Sequence, residues 1–121
     1  IHVMQKERTE NHVKGTMVDA THVEILGEVF ECQEQANIEQ GAEVDVAFNF
    51  TAVELTDDSE DGTSWGIIRF ILYKGDRYHL TVRTDDGENI YVDTHDVWED
   101  LDEVGIKLSP KSLRITPVNK Q

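Results

Sequence analysis

The sequence predicts an all-β protein, with short helical turns or none. Apolar and polar residues alternate with period two through most of the chain, and turn residues recur about every 8–12 positions. No segment of about ten residues or more has sustained helical spacing of apolar side chains. With about four or five short strands in each of two related units, we expect small OB-like barrels.

A repeat defines the two units. Residues 43–55 and 103–115 align without a gap at an offset of 60. Residues 1–4 (IHVM) match the closing strands 53–56 and 113–116, so we expect the chain to open on the last strand of a preceding unit. We expect the two halves to pack on each other or to exchange strands. The predicted organisation is an end strand with a polar linker (1–12), a first β unit (13–58), an acidic loop (59–65) and a second β unit (66–121), together one compact domain cut from a larger protein.

The first unit begins with alternating residues from Val13 to Leu26, which predict one long strand bent near Thr21. Residues 28–33 (EVFECQ) alternate and predict its hairpin partner. The polar stretch 34–42 then leads into the repeated strand pair.

The second unit follows the turn-rich residues 57–64 (DDSEDGTS). Residues 66–73 (GIIRFILY) are nearly all apolar, and we expect that strand to be well buried. Residues 77–84 alternate, which places His79 on the face opposite Tyr78. An Asp-Gly turn leads to the strand 88–93, and residues 94–102 predict one short helical turn capped by Thr94 or Asp96.

Composition disfavours several function classes. The chain has 11 Lys and Arg against 25 Asp and Glu, a net charge of −14. Nucleic acids and anionic membranes require a basic surface, so both are disfavoured as partners. No apolar run approaches the roughly 18–20 residues of a membrane span, so direct insertion is not expected. Cationic ligands or basic proteins are compatible with the charge, which is also explained by solubility alone.

The single cysteine excludes an intrachain disulfide and suits a reducing compartment. Cys32 alternates with Phe30 in a strand-like run, which predicts a small buried thiol.

Two acidic clusters are candidates for metal or catalytic sites. Residues 57–62 resemble the start of an EF-hand loop, but position twelve is Ile68 where calcium requires Glu, so a solvated turn is the better interpretation. Around His95, a second cluster of acids can attract cations such as polyamines, or supply metal ligands for a small metal-dependent enzyme, although a solvated face also explains it. The candidate cation-attracting residues are Asp93, Asp96, Glu99 and Asp100.

No nucleophile elbow, phosphate-binding loop or Cys-x-x-Cys pair is present, so we expect no catalytic residue, metal site or cofactor in this chain. Tyr78, Tyr91, Trp65 and Trp98 could form stacking platforms, but such platforms require a basic groove, and we favour core packing or an interface.

Residues 71–93 and 104–115 resemble the transport-associated OB (TOBE) domain at the C-terminus of ABC importer ATP-binding subunits, particularly those of the spermidine/putrescine group. Residues 49–51 depart from the family, which has Arg-Pro-Glu there. The positions that match its motifs are Tyr73, Lys74, Gly75, Tyr78, Val104, Gly105, Pro110, Leu113 and Ile115.

The resemblance implies a non-catalytic accessory or regulatory domain that stabilises or modulates an ATPase dimer. Implied partners are an ATP-binding domain of the same polypeptide, a second copy of the subunit and, indirectly, a membrane permease, at the cytoplasmic side of the membrane. Tyr73, Lys74, Gly75 and Tyr78 form the candidate interface or turn motif. The alternative is a stand-alone acidic OB-type module that binds a basic protein segment or a cationic ligand.

Overall fold

A computed structural model describes residues 9–58 and 60–118, and the predicted all-β class is confirmed. The predicted strand at residues 1–4 lies outside the described residues. Short 3-10 turns at Phe50–Ala52 and Pro110–Ser112 provide the helical content of the described part. The strands are β1 (Glu10–Asp19), β2 (His22–Ile25), β3 (Glu28–Glu31), β4 (Glu43–Asn49), β5 (Glu54–Thr56), β6 (Ser64–Tyr73), β7 (Tyr78–Thr84), β8 (Asn89–Thr94), β9 (Glu103–Lys107) and β10 (Arg114–Pro117).

The strands form two five-stranded antiparallel sheets that exchange their closing strands. The first sheet has the order β10-β4-β1-β2-β3 and the second has the order β5-β9-β6-β7-β8. The aligned segments 43–55 and 103–115 both form a strand, a 3-10 turn and a short strand. In each case the short strand pairs in the other unit's sheet, so each unit completes the edge of its partner.

An equivalent glycine in each unit lets the opening strand coil closely onto its hairpin partner. A Cβ on Gly15 would lie 2.6 Å from Ile25 Cγ2 and 2.7 Å from the carbonyl oxygen of Glu24. A Cβ on Gly66 would lie 2.7 Å from the carbonyl oxygen of Arg83. Such distances are far inside van der Waals contact, so both positions require a residue without a side chain.

The inward faces of both sheets meet in one hydrophobic core. The buried thiol predicted for Cys32 is confirmed, and burial, together with the charges of Asp19 and Glu31, raises its pKa. The largest fully buried side chains are Phe30, Phe48, Met17, Ile25, Ile68, Leu80, Ile90 and Ile106.

The first strand differs from its prediction at both ends. β1 begins at Glu10, inside the predicted linker, because it pairs with β4 from Glu10, which lies opposite Asn49. The side-chain amide of Asn11 also exchanges two 2.8 Å hydrogen bonds with the backbone of Tyr91. The predicted long bent strand is two strands, β1 and β2. The turn between them is closed by the Asp19 carboxylate, which accepts a hydrogen bond from the backbone N–H of Thr21 at 2.9 Å. That bond and the one with His22 lower the pKa of Asp19.

The helical turn predicted for residues 94–102 is wrong. The segment is irregular, and side chains accept the hydrogen bonds that a helix would have made. Asp96 N–H donates to Thr94 Oγ1 at 3.0 Å, and Glu99 N–H donates to an Asp102 carboxylate oxygen at 2.8 Å. No helix in the described residues is long and apolar enough to cross a membrane.

Candidate functional site: the β6–β7 hairpin

The hairpin of β6 and β7 extends beyond the core, and the prediction that residues 66–73 are well buried is wrong for its second half. Ile68 is fully buried, but Phe70 is 70% exposed, Leu72 58% and Tyr73 61%. β9 pairs with β6 only from Ser64 to Ile67, so the strand leaves the sheet's centre beyond that point. The apolar run 66–73 therefore predicted burial for Phe70, Leu72 and Tyr73, which the fold places at the surface.

The tip of the hairpin contains the motif singled out by the family resemblance. Lys74 N–H donates to the carbonyl oxygen of Arg77 at 2.8 Å, and Gly75 supplies a φ of 94° that other residues rarely adopt. The Tyr73 hydroxyl donates to the carbonyl oxygen of Gly75, and the rings of Tyr73 and Tyr78 lie 5.1 Å apart. These residues thus form one compact turn, with Tyr78 packed against the core and Tyr73 exposed.

Beside the tip, Arg77, Asp93 and His79 form a charged cluster. The Asp93 side chain is only 10% exposed, and its two oxygens lie 3.2 Å from Arg77 Nε and 2.6 Å from His79 Nδ1. A largely buried carboxylate is stabilised by such paired donors. Asp93 is therefore committed to an internal ion pair, which makes it a poor candidate for attracting cations from solution.

The sequence pattern did not single out this cluster. His79 also stacks on Tyr91, with ring centroids 5.6 Å apart and planes within 6°, and lies 5.3 Å from the ring of Phe50. A signal was available, because the Asp-Gly turn fixes the hairpin register and places His79 directly opposite Asp93. The contribution of Phe50 depends on the contact between the two units and has no signal in the local sequence.

A polar groove of about 590 Å³ runs alongside the cluster, with walls from both units. Both signs of charge line it, with Arg77 and Lys107 among several acids, so it is suited to polar ligands rather than specifically to cations. The Asp61 carboxylate lies 2.9 Å from Lys107 Nζ, and this hydrogen bond raises the pKa of Lys107. The turn that resembles an EF-hand thus contributes an ion pair to the groove rim.

The remaining candidate acids lie on the segment after β8. Asp96 lines the groove, whereas Glu99 and Asp100 are exposed on the adjoining turn. His95 contacts the carbonyl oxygen of Asp76 through Nδ1 at 2.9 Å. Across residues 9–58 and 60–118, no group of three or more His, Cys, Asp or Glu side chains is arranged to hold a metal ion. The metal-enzyme hypothesis therefore has no supporting geometry in this part of the chain.

The aromatic residues favour packing over stacking on a ligand. Tyr78 and Trp98 pack against the core, and Trp65 covers the close approach of Gly62 and Gly105. Within the described residues, the Trp98 indole Nε1 is buried without a hydrogen-bond partner.

Comparisons with known proteins give relatives for almost the whole chain. It is 51% identical over 118 residues to the spermidine/putrescine import ATP-binding protein PotA of Bacteroides thetaiotaomicron, covering 98% of this chain and 26% of that protein. It is 52% identical over 115 residues to the protein of the same name from Bacteroides fragilis, covering 95% and 25% respectively. The chain thus spans about a quarter of the length of these curated relatives.

Among solved structures, the fold is similar to that of the cytoplasmic molybdate-binding protein ModG in a molybdate-bound form. The TM-score is 0.72 at 16% identity, over 92% of this chain and 98% of the other, which shows a shared fold. No family model matches the chain. The chain is therefore a homologue of the C-terminal part of ABC importer ATP-binding proteins of the spermidine/putrescine group, and the resemblance to their TOBE domain is confirmed.

Proposed function

We propose that this chain is a non-catalytic accessory domain of an ABC importer ATP-binding subunit of the polyamine type, and that it stabilises or modulates the ATPase dimer. The observation that supports this most strongly is the 51% identity, which covers nearly all of this chain but only the C-terminal quarter of the relative. Its partners would be the ATP-binding domain of the same polypeptide, a second copy of the subunit and, through them, a membrane permease at the cytoplasmic side.

The mechanism we propose is a shift of the equilibrium between open and closed ATPase dimers. An accessory domain changes that equilibrium only if its contacts are more favourable in one state than in the other. The β6–β7 hairpin is suited to such contacts because Phe70 and Leu72 are exposed next to the hydrophobic core. The domain would therefore affect the rate of ATP hydrolysis without contributing a catalytic group.

A chimera tests the proposal. The corresponding C-terminal part of the Bacteroides thetaiotaomicron relative is replaced with this chain, and ATP hydrolysis and spermidine uptake are measured in reconstituted transporter. We expect activity within about threefold of the parent, because about half of the residues are identical. A chimera with an unrelated acidic β domain is the control. Equal loss of activity in both chimeras would contradict the proposal.

A second candidate function is direct binding of a polycation by the same domain. The net charge of −14 and the exposed acids Asp96, Glu99 and Asp100 favour it, whereas Asp93 is already paired with Arg77 and hydrogen-bonded to His79. Spermidine is titrated into the chain at physiological salt by calorimetry, with Glu34→Gln as an exposed-acid control. Saturable binding that is lost in the variant with Asp96→Asn, Glu99→Gln and Asp100→Asn would support this candidate, and non-saturable heats would exclude it.

A further inference from the structure

The edge of β6 from Arg69 to Tyr73 is open and could pair with a further strand. β9 pairs with β6 through Ile67, and the last backbone bond on that side is donated by Leu101 N–H to the carbonyl oxygen of Ile68 at 2.8 Å. In the described part of the chain, no strand pairs with this side of β6 from Arg69 to Tyr73. Natural edge strands are normally protected by charge, proline or a covering element. Here the bulge at Arg69 is followed by four apolar or aromatic residues.

The ladder geometry determines which backbone groups face this edge. Lys74 N–H donates to the carbonyl oxygen of Arg77, so that pair is hydrogen-bonded within the hairpin. Antiparallel ladders alternate between bonded and non-bonded pairs. The alternation therefore directs the N–H and C=O groups of Ile71 and Tyr73 away from β7 and toward solvent. An unpaired row of this kind is a template for another strand.

The side chains on this strand are self-complementary. In a two-fold antiparallel pairing centred on Ile71, Ile71 meets its own copy, Phe70 meets Leu72 of the other copy, and Arg69 meets Tyr73. Phe70 and Leu72 lie on the same outer face, since their β7 partners are Thr81 and His79. The pairing thus places apolar side chains opposite each other and an arginine beside an aromatic ring.

Charge also favours this region over the rest of the surface. Residues 64–84 contain four cations and one acid, Asp76, in a chain whose net charge is −14. Pairing through the hairpin therefore brings few acids of the two copies close together, whereas a contact through most of the remaining surface would oppose acid to acid. Closed two-fold association through identical surfaces is also the commonest arrangement of homo-oligomers.

We propose that β6 of one copy pairs with β6 of a second copy across Arg69–Tyr73, joining their second sheets into one continuous sheet. This pairing would supply the contact between two copies of the subunit, so its biological role rests on the proposed function. Self-association is measured without ATP hydrolysis, so the two can fail separately.

Cysteine cross-linking tests the register in the 121-residue chain with Cys32→Ala as background. Antiparallel partners have Cα atoms about 5.5 Å apart in bonded pairs, such as Ile71 with its copy, and about 4.5 Å apart in non-bonded pairs, such as Phe70 with Leu72; both distances are within disulfide range. We expect Ile71→Cys to form a disulfide-linked dimer with itself, and Phe70→Cys to cross-link with Leu72→Cys in a mixture more than with itself. Val97→Cys, which is highly exposed but outside the hairpin, is the collisional control. Equal cross-linking at positions 71 and 97 would overturn the proposal.

Sedimentation equilibrium tests the energetics. Ile71→Pro removes an outward N–H at a position where proline is tolerated, and Phe70→Ser with Leu72→Ser removes the apolar contacts. We expect each to raise the dimer dissociation constant about tenfold or more, and Val97→Ser to leave it unchanged. Circular dichroism shows whether each variant is folded, and the double serine variant, which leaves the backbone intact, decides the outcome if the proline variant unfolds. A monomer at all concentrations, or a dimer that these changes do not affect, would overturn the proposal.

Discussion

The two opening hairpins start identically and end differently. Gly15 and Gly66 occupy equivalent positions, and in each strand a buried residue two positions later, Met17 or Ile68, is followed by a bulge. Beyond the bulge, the first hairpin closes after two residues between Asp19 and His22. The second continues for ten residues between Phe70 and Thr81. The same scaffold thus ends in a tight turn in one unit and in an exposed apolar surface in the other.

The residue after the bulge accounts for much of this difference. Asp19 accepts the backbone N–H of Thr21 and closes the turn at once. At the equivalent position Phe70 offers no such acceptor, and the strand continues to the Gly75 turn. The first unit therefore ends its hairpin in a tight turn. The second unit has the longer hairpin, with the Tyr73–Tyr78 turn motif and the open edge of β6.

The largest expected effect is the loss of stability when the glycine at the start of each hairpin is replaced, which tests whether both hairpins need a residue without a side chain there. Gly15→Ala and Gly66→Ala each introduce a Cβ within about 2.7 Å of backbone oxygen, so we expect each to lower the free energy of unfolding by about 2–3 kcal/mol. Urea denaturation measures both. A loss at only one glycine would mean that the two strands are not structurally equivalent.

The next effect concerns a feature that only the second hairpin has. Asp93→Asn removes the charge shared by Arg77 and His79, and we expect a loss of about 1–2 kcal/mol in the free energy of unfolding. Asp61→Asn, which breaks the more exposed pair with Lys107, is the matched control and should cost much less. Similar losses in the two variants would show that the cluster has no special stabilising role.

A smaller effect tests the equivalence of the segments before β4 and β9. Gly41 and Leu101 both have positive φ, 83° and 70°, and both donate a backbone N–H to the opening strand of their unit. We expect Leu101→Gly to stabilise the fold by about 0.5–1 kcal/mol, because glycine adopts this conformation without strain. Gly41→Ala should destabilise it by about 1 kcal/mol, since a Cβ there meets nothing within 4 Å and only the backbone is affected. Thermal unfolding compares both, and a destabilising Leu101→Gly would contradict the assignment of strain.

The smallest expected effect is the pH-dependent contribution of the Asp19 carboxylate to the stability of the first hairpin's turn. The pKa of Asp19 is lowered below its ordinary value of 3.8, mainly by the Thr21 N–H. Its contribution to stability is therefore present above that value and is lost as the pH falls through the lower, folded pKa. We expect the urea midpoints of the parent and Asp19→Asn to differ at pH 7 and to converge toward pH 2. A difference independent of pH would exclude ionisation of Asp19 as its source.

Local patterns in the sequence predicted the strand class, the repeat and the turn motif, because alternation and turn residues act over a few positions. The exposure of Phe70 and Leu72 could not be predicted this way, since the same apolar pattern would describe a strand paired on both sides. That difference depends on where β9 ends, which is a tertiary fact. The Asp93 cluster lay within reach of register reasoning, whereas the contact of Phe50 with His79 required the arrangement of the two units.

The exchange of β5 and β10 between the sheets has a consequence for folding and engineering. Neither half can complete its own sheet, so each depends on the other for an edge strand, and the transition between unfolded and native chains is expected to be all-or-none. The connection at Asp57–Asp58 and Glu60–Thr63 is mostly exposed and lies between these interlocked halves. If the chain were cut there, we expect the two fragments to remain associated, because β5 of the first fragment completes the second sheet and β10 of the second fragment completes the first. Two such fragments produced separately would serve as a split reporter that folds only when they bind each other.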